Sequence, residues 1–228
     1  MLRAAVIIPA LNEEESLGAT LDRVPRSLFQ TVIVADNGSA DRTAEVAREH
    51  GAIVVSEPER GYGAACLAAL AAVPPDTEAV AFMQADSSED PEEAALLLAP
   101  IAEGRADLVL GSRVMGRAER GSVRIHQAFG NRLATFLIRI LFGYRYADLG
   151  PFRAIRLESL RALGMRDRNY GWTVEMQIKA LQQGLRVLEV PVSYRRRLAG
   201  EEKVSGNPIA SVKAGAKILW TVAKLKVW

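Results

Sequence analysis

The sequence predicts an α/β fold with a mostly parallel central sheet flanked by helices, and three observations carry that expectation. Short β-branched and apolar runs alternate with helix-length segments through the first half of the chain. The 228 residues, 49% hydrophobic and 25% charged, suffice for a sizeable core without a metal or disulfide staple. Polar clusters stand directly after three of the strand segments, where open α/β sheets collect their ligands.

The strand segments are 4–8, 31–35, 52–56, 79–84 and 107–110, each a compact run of small, apolar or β-branched residues. Between them, 13–23, 41–50, 63–73 and 91–103 have the length and periodicity of helices. The rhythm then changes. Segments 127–142 and 173–183 read as helices, 185–194 as a strand and Pro208–Val227 as a terminal helix. No repeat or linker rich in Pro, Gly or Ser divides the chain, so one domain with two functional halves is expected.

Charge separates those halves. Residues 1–114 hold 8 Lys/Arg and 19 Asp/Glu, and residues 115–228 hold 21 and 8, so the net +2 hides −11 and +13. An acidic half suits a cation, and a basic half suits phosphate or an anionic surface. The one cysteine, Cys66, excludes an internal disulfide framework and fits a reducing, cytoplasmic setting; His50 and His126 are too few for a His-rich metal centre. No cleavable signal is read at the start of the chain, and the longest apolar runs are about half of a bilayer span.

The three strand ends carry the candidate chemistry. After the first, Asn12 and Glu15 have capping-box spacing. Asp36 ends the second strand, where a carboxylate can meet a nucleobase or ribose, and Asp41 can cap the following helix. Gly61-Tyr62-Gly63 allows close backbone approach, although Cys66 breaks any dinucleotide fingerprint and such glycine pairs more often serve packing. After the fourth strand comes Gln84-Ala85-Asp86-Ser87-Ser88-Glu89-Asp90-Pro91. Asp90 before Pro91, with Glu93 beyond, marks a helix start. Asp86 has no such duty and suits Mg²⁺ or Mn²⁺ bridging phosphates, with Gln84 and Ser88 adding neutral oxygens.

The segments VIIPALNEEESL, VIVADNGSADRTAEVA, GYGAACLAAL, QADSSEDP, LVLGSR, GNRLATFLIRILFG, ADLGPFRAIR, YGWTVEMQIKALQQG and VPVSYRRRLAGEEKVSG follow in order across residues 6–206. Together they resemble glycosyltransferase family 2, with its GT-A nucleotide-diphospho-sugar transferase fold. Within it the chain is most similar to polyprenyl-phosphate sugar transferases of the dolichol-phosphate mannose synthase type. The resemblance implies a GT-A domain over 1–207, its donor and metal half 1–114 and acceptor half 115–207, followed by a basic amphipathic helix over 208–228.

It also implies roles. Pro9, Asn12, Glu13 and Asp36 would line the nucleotide pocket. Asp86 and Ser88, beside Gln84, would bring the divalent cation, Mg²⁺ or Mn²⁺, to the donor diphosphate. Arg197 and Lys203 would pair with that diphosphate. Arg113 and Arg132 would face the acceptor phosphate. Asp148, Arg153, Trp172 and Glu175 would surround sugar and acceptor, Asp148 or Glu175 serving as base for a hydroxyl acceptor. The implied partners are a GDP- or UDP-linked sugar, a polyprenyl phosphate or other acceptor, and a membrane surface, but no nucleic acid. Two departures stand out: Gln84 replaces the first acid of the family's Asp-x-Asp, and Gly200-Glu201-Glu202-Lys203 replaces G-x-S-K.

Blander readings accompany these. Asp148 with Arg153, and Glu175 with Lys179, can be structural ion pairs, and Trp172 can be a core residue. The terminal helix has Ile209, Val212, Ala216, Leu219, Trp220, Ala223 and Val227 on one side and Lys213, Lys217 and Lys224 along a flank. It can lie on a membrane, helped by Trp228, Lys226 and Arg195 to Arg197, or pack on protein. A hydroxyl acceptor, a nucleotidyltransferase and a non-catalytic nucleotide-sugar binder or membrane adaptor are the competing functions. The absence of a GxGTRL-like segment argues against the second.

Overall fold

A computed structural model describes residues 2–200 and 208–227, the side chains of 208–210 and 227 excepted. Seven strands, β1 (Ala4–Ala10), β2 (Phe29–Asp36), β3 (Ile53–Ser56), β4 (Ala79–Phe82), β5 (Leu108–Ala118), β6 (Arg153–Arg156) and β7 (Val187–Tyr194), form one sheet in the order β3-β2-β1-β4-β6-β5-β7. The helices are α1 (Glu14–Arg23), α2 (Thr43–Glu49), α3 (Tyr62–Ala71), α4 (Ala94–Ala102), α5 (Ile125–Phe142), α6 (Leu157–Leu163), α7 (Trp172–Gln182) and α8 (Pro208–Val227).

The central strands are covered on both faces, as parallel strands require. Val6, Ile8, Val32 and Val34 point to one face, where Leu17 and Leu21 of α1, Ala47 of α2 and Leu97 and Ile101 of α4 close over them. Ala5, Ile7, Ile33 and Ala35 point to the other, under Cys66 of α3, Ile138 of α5, Leu160 of α6, Trp172 of α7 and Val222 of α8. This two-residue alternation fixes the register, since a slip by one would exchange the faces. Strands β1, β2, β3 and β4 run parallel, which brings the loops after β1, β2 and β4 to the same edge.

The sheet is mixed where the sequence pattern fades. Strand β6 lies antiparallel between β4 and β5, whereas β7 pairs parallel with β5. The pattern misses β6 and α6, stops β5 at 110 and carries β4 on to 84. Helix α8 packs on α5 and α7.

Ion pairs join the acidic and basic halves: Arg168 with Glu59 at 2.7 Å, Arg186 with Asp107 at 2.7 Å, and Arg195 with Asp90 at 2.9 Å. Part of the charge asymmetry is therefore internal pairing between the halves. Arg195, Arg196 and Arg197, expected to help attract lipid, pair with Asp90, Glu119 and Glu13.

Candidate active site

A cleft of about 380 Å³ opens beyond the carboxyl ends of β1 and β4. Pro9, Glu13, Gln84, Asp86, Ser88, Tyr194, Arg195 and Arg197 are among the residues that line it. The cleft thus brings together six of the expected residues: Pro9, Glu13, Gln84, Asp86, Ser88 and Arg197.

The loops around it are held by side chains. Asn12 does not cap α1; at φ 49° its N–H donates to Ser39 Oγ at 2.9 Å and its Oδ1 accepts from the Ala40 N–H at 2.8 Å. Asn12 therefore clamps the loop after β1 to the loop after β2. Asp36 accepts from the Ser39 N–H at 3.1 Å and lies beside the cleft rather than in its wall. Asn37 donates to the Glu57 and Glu59 carbonyls and accepts from the Gly61 N–H, tying in the β3–α3 loop. Asp41 accepts from the Thr43 N–H at the start of α2.

Gly61 and Gly63 serve packing. A Cβ on Gly61 would stand 2.1 Å from the Arg168 carbonyl oxygen, and one on Gly63 2.0 Å from that of Asp167. Two glycines therefore let α3 abut the segment that carries Asn169 and Tyr170 to the cleft wall.

The β4 end has the chemistry expected of a cation site. Asp86 Oδ1 accepts from the Ser88 N–H at 3.0 Å and hydroxyl at 2.6 Å, which fixes the carboxylate. Gln84 Oε1 lies 3.1 Å from the Ser88 hydroxyl and 3.3 Å from that of Tyr194. Thr20, buried on α1, hydrogen-bonds the Ala85 carbonyl at 3.1 Å and Ser87 at 2.7 Å, securing the loop from below. One carboxylate plus neutral oxygens fits a hard cation that substrate phosphates complete. Among the described residues no cluster of three or more His, Cys, Asp or Glu offers a self-sufficient alternative.

Glu89 lies under this loop and was not singled out by the sequence. Burial pushes its carboxyl up to about 8, partly opposed by the Gln84 N–H. Its Oε2 accepts from that N–H at 2.8 Å, while its Oε1 is buried with no hydrogen-bond partner. Asp90 caps the 3₁₀ turn Pro91–Glu93 and pairs with Arg23 at 2.6 Å, whereas Glu93 reaches across to Ser193 at 2.7 Å.

Several expected contact residues lie behind the cleft wall. Asp148, 1% exposed, takes Arg113 through both carboxylate oxygens at 2.8 Å. Its partner is Arg113 rather than Arg153. The pairing holds the Arg113 guanidinium in its charged form against burial, and that group lies 5.1 Å from the centre of the Tyr194 ring.

Arg153 is fully buried, donating to the Thr173 and Gly150 carbonyls, and burial lowers its pKa. Trp172 is a core residue, edge-to-face with Phe82 at 6.2 Å between centroids. Glu175 accepts from the Arg166 and Asp167 N–H groups and pairs with Lys179 at 2.7 Å, the acid buried and the lysine partly exposed. Glu175 thereby holds the segment that leads to Asn169 and Tyr170. Arg132 is exposed on α5, and Lys203 lies outside the described residues.

Arg60, Tyr62, Asn169, Tyr170, Tyr194 and Gln127 are among the further lining residues, and none was assigned a role from sequence. Tyr62, Tyr170 and Tyr194 lie in the segments GYGAACLAAL, YGWTVEMQIKALQQG and VPVSYRRRLAGEEKVSG, whereas Arg60, Gln127 and Asn169 lie outside the matching segments.

A family description, glycosyl transferase family 2, matches residues 5–164. The chain belongs to glycosyltransferase family 2. This glycosyltransferase is 39% identical over 213 residues to an uncharacterized glycosyltransferase of Mycobacterium tuberculosis, covering 92% of this chain and 93% of the relative. It is 34% identical over 225 residues to a dolichyl-phosphate hexose transferase of Haloferax volcanii, covering 97% and 92%. With an undecaprenyl-phosphate mannosyltransferase of Micrococcus luteus it shares 30% over 217 residues, 90% of this chain and 88% of the relative. Its GT-A fold matches glucosyl-3-phosphoglycerate synthase from Mycobacterium tuberculosis, crystallised with Mn²⁺, UDP-glucose and phosphoglyceric acid, at a TM-score of 0.79. Identity there is 22%, over 99% of this chain and 80% of that one.

Proposed function

We propose that this glycosyltransferase moves a sugar from a nucleoside-diphosphate donor to a polyprenyl phosphate, with inversion at the anomeric carbon. The observation that carries the reading is the convergence of Asp86, Ser88 and Gln84 with Arg195 and Arg197 in one cleft beyond β1 and β4. A carboxylate and guanidinium groups lining one cleft suit a substrate that brings both a cation and a diphosphate.

Pro9 and the loops clamped by Asn12 and Asn37 give the nucleoside a rigid wall. Asp86, Ser88 and Gln84 would hold Mg²⁺ or Mn²⁺, which when bound offsets negative charge on the donor diphosphate. Arg197 now pairs with Glu13, so it would exchange that carboxylate for a phosphate oxygen as the donor enters. An acceptor phosphate oxygen forms the new bond to the anomeric carbon while the bond to the donor's β-phosphate oxygen breaks, and the nucleoside diphosphate leaves with that electron pair. A phosphate acceptor is already ionised, so the step needs orientation rather than a general base. The commitment of Asp148 and Glu175 to structural partners agrees with this.

The names of the Haloferax and Micrococcus relatives support a polyprenyl phosphate acceptor, and the Mn²⁺ and UDP-glucose in the structural neighbour support the donor chemistry. The setting would be a cytoplasmic membrane face. Among the described residues no helix is long and apolar enough to cross a membrane.

The test is a screen of UDP- and GDP-hexoses with a short polyprenyl phosphate and Mn²⁺ or Mg²⁺, comparing wild type with Asp86→Ala. Sugar-lipid formed by wild type and lost in the variant is expected. Transfer only to hydroxyl compounds would overturn the acceptor assignment. Donor binding without transfer to any acceptor would favour the adaptor reading.

A further inference from the structure

We infer that Lys217 of α8 is a positioning residue for the active-site cleft, because through Asp167 it holds the turn that presents Asn169 and Tyr170. Both of those residues line the cleft, together with Arg60 and Tyr62. Lys217 does not line it, so its effect on a bound substrate would be exerted through the turn. The role rests on the reading of the cleft as a nucleotide-sugar site.

The turn is built on one carboxylate. Asp167 Oδ1 accepts from the Asn169 N–H at 2.8 Å and from the Gly171 N–H at 3.2 Å. A short acidic side chain supplies here the acceptor that a loop backbone lacks. The Asn169 carbonyl accepts from the N–H of the buried Trp172, at 3.3 Å, where α7 begins. The backbone of Asn169 is therefore tied to Asp167 on one side and to the core on the other.

Asp167 in turn is held by α8. Its Oδ2 pairs with Lys217 Nζ at 2.9 Å, and its side chain is only 8% exposed. A carboxylate so far out of water needs a countercharge as well as N–H donors. A second observation brings α8 against the same turn. A Cβ on Gly171 would stand 2.4 Å from Asp167 Oδ2 and 2.5 Å from Thr221 Oγ1, one helical turn beyond Lys217. The Thr221 hydroxyl donates to the Lys217 carbonyl at 2.8 Å, and Ala214, Thr221 and Val222 are buried on α8. Lys213 and Lys224 are exposed, whereas Lys217 is turned toward the protein. On the α3 side the turn is held by backbone, the Arg168 carbonyl accepting from the Ala64 N–H at 2.9 Å. On the α8 side it is held by side chains, so a single substitution there can loosen it.

The test uses the full chain as wild type, Lys217→Met, Lys217→Arg, Asp167→Asn and the double variant Lys217→Met with Asp167→Asn. Amide hydrogen exchange is read at Asn169 and Gly171, and steady-state transfer is measured from the sugar nucleotide. Lys217→Met should speed exchange at both amides, and raise KM for the sugar nucleotide, by about fivefold with kcat nearly unchanged. Lys217→Arg should keep the wild-type values. In the Asp167→Asn background Lys217→Met should change neither readout further, because the pair is already broken. Additive effects in the double variant would overturn the inference. So would a lowered melting temperature in Lys217→Met with exchange at the two amides and KM as in wild type, the signature of a purely structural pair. Lys217→Met against Lys217→Arg decides the matter even where Asp167→Asn does not fold. A wild type that transfers no sugar would overturn the reading of the cleft, while exchange at Asn169 and Gly171 would still decide whether Lys217 holds the turn.

Discussion

Replacing Asp148 by Asn separates a positioning role from a catalytic one. The carboxylate is 1% exposed and accepts from the Arg113 N–H, Nε and Nη2 and from the Leu149 N–H, all between 2.8 and 2.9 Å. Asn keeps one acceptor oxygen and turns an NH₂ group toward groups that are themselves donors. It also removes the charge opposite a guanidinium whose side chain is only 18% exposed. Breaking a buried pair from one side costs about 3–5 kcal/mol, and the residual exposure of Arg113 places the loss near the lower end. For a chain of this size a loss of about 3 kcal/mol lowers the melting temperature by roughly 6–12 °C. The assay is scanning calorimetry alongside sugar transfer measured well below the transition. Arg113→Met with Asp148→Leu should recover much of the stability, because the uncompensated charge is then gone. A melting temperature within about 2 °C of wild type, together with complete loss of transfer, would refute the positioning role and restore Asp148 as a base.

Gly63→Ala should destabilise the chain by about 1–3 kcal/mol or more, read by urea denaturation, because the new methyl meets the Asp167 carbonyl at 2.0 Å. The Arg186 guanidinium, donating to the Asp107 carboxylate, holds that group below the usual carboxylate range. Its folded pKa is depressed, so its contribution is present above the unfolded value and lost as pH falls through the folded one. Stability of wild type should therefore drop below about pH 4, and that part of the drop should be absent in Asp107→Asn. Gln84→Asp restores a second carboxylate beside Asp86 and should lower the Mn²⁺ concentration for half-maximal transfer by roughly tenfold.

The first half of the fold was readable because its central strands β1, β2 and β4 are largely buried on both faces and so appear as apolar runs. Strand β6 was not, since Arg-Ala-Ile-Arg looks like surface until Arg153 is seen donating to carbonyls inside the molecule. Helix α6 was lost because its seven residues span about two turns. At the site, residues next to strand ends were legible through the sheet's geometry: Asp86, Gln84 and Ser88 all reach the cleft. Asp148, Arg153, Trp172 and Glu175 belong to recognisable segments, but a segment's likeness does not say which way a side chain turns. Arg60 and Tyr170 reach the cleft from loops whose paths depend on long-range contacts, including the close approach at Gly61 and Gly63, and no local pattern announces that.

The central claim is that Asp86 anchors a cation-assisted site for a nucleoside diphosphate. The most direct measurement is calorimetric binding of UDP and GDP to wild type and Asp86→Ala, with Mn²⁺ and with chelator. Wild type should bind at least one nucleotide about a hundredfold more tightly with Mn²⁺, and Asp86→Ala should bind it equally weakly in both conditions while melting at the wild-type temperature. An Asp86→Ala variant that keeps the full Mn²⁺ enhancement would contradict the account.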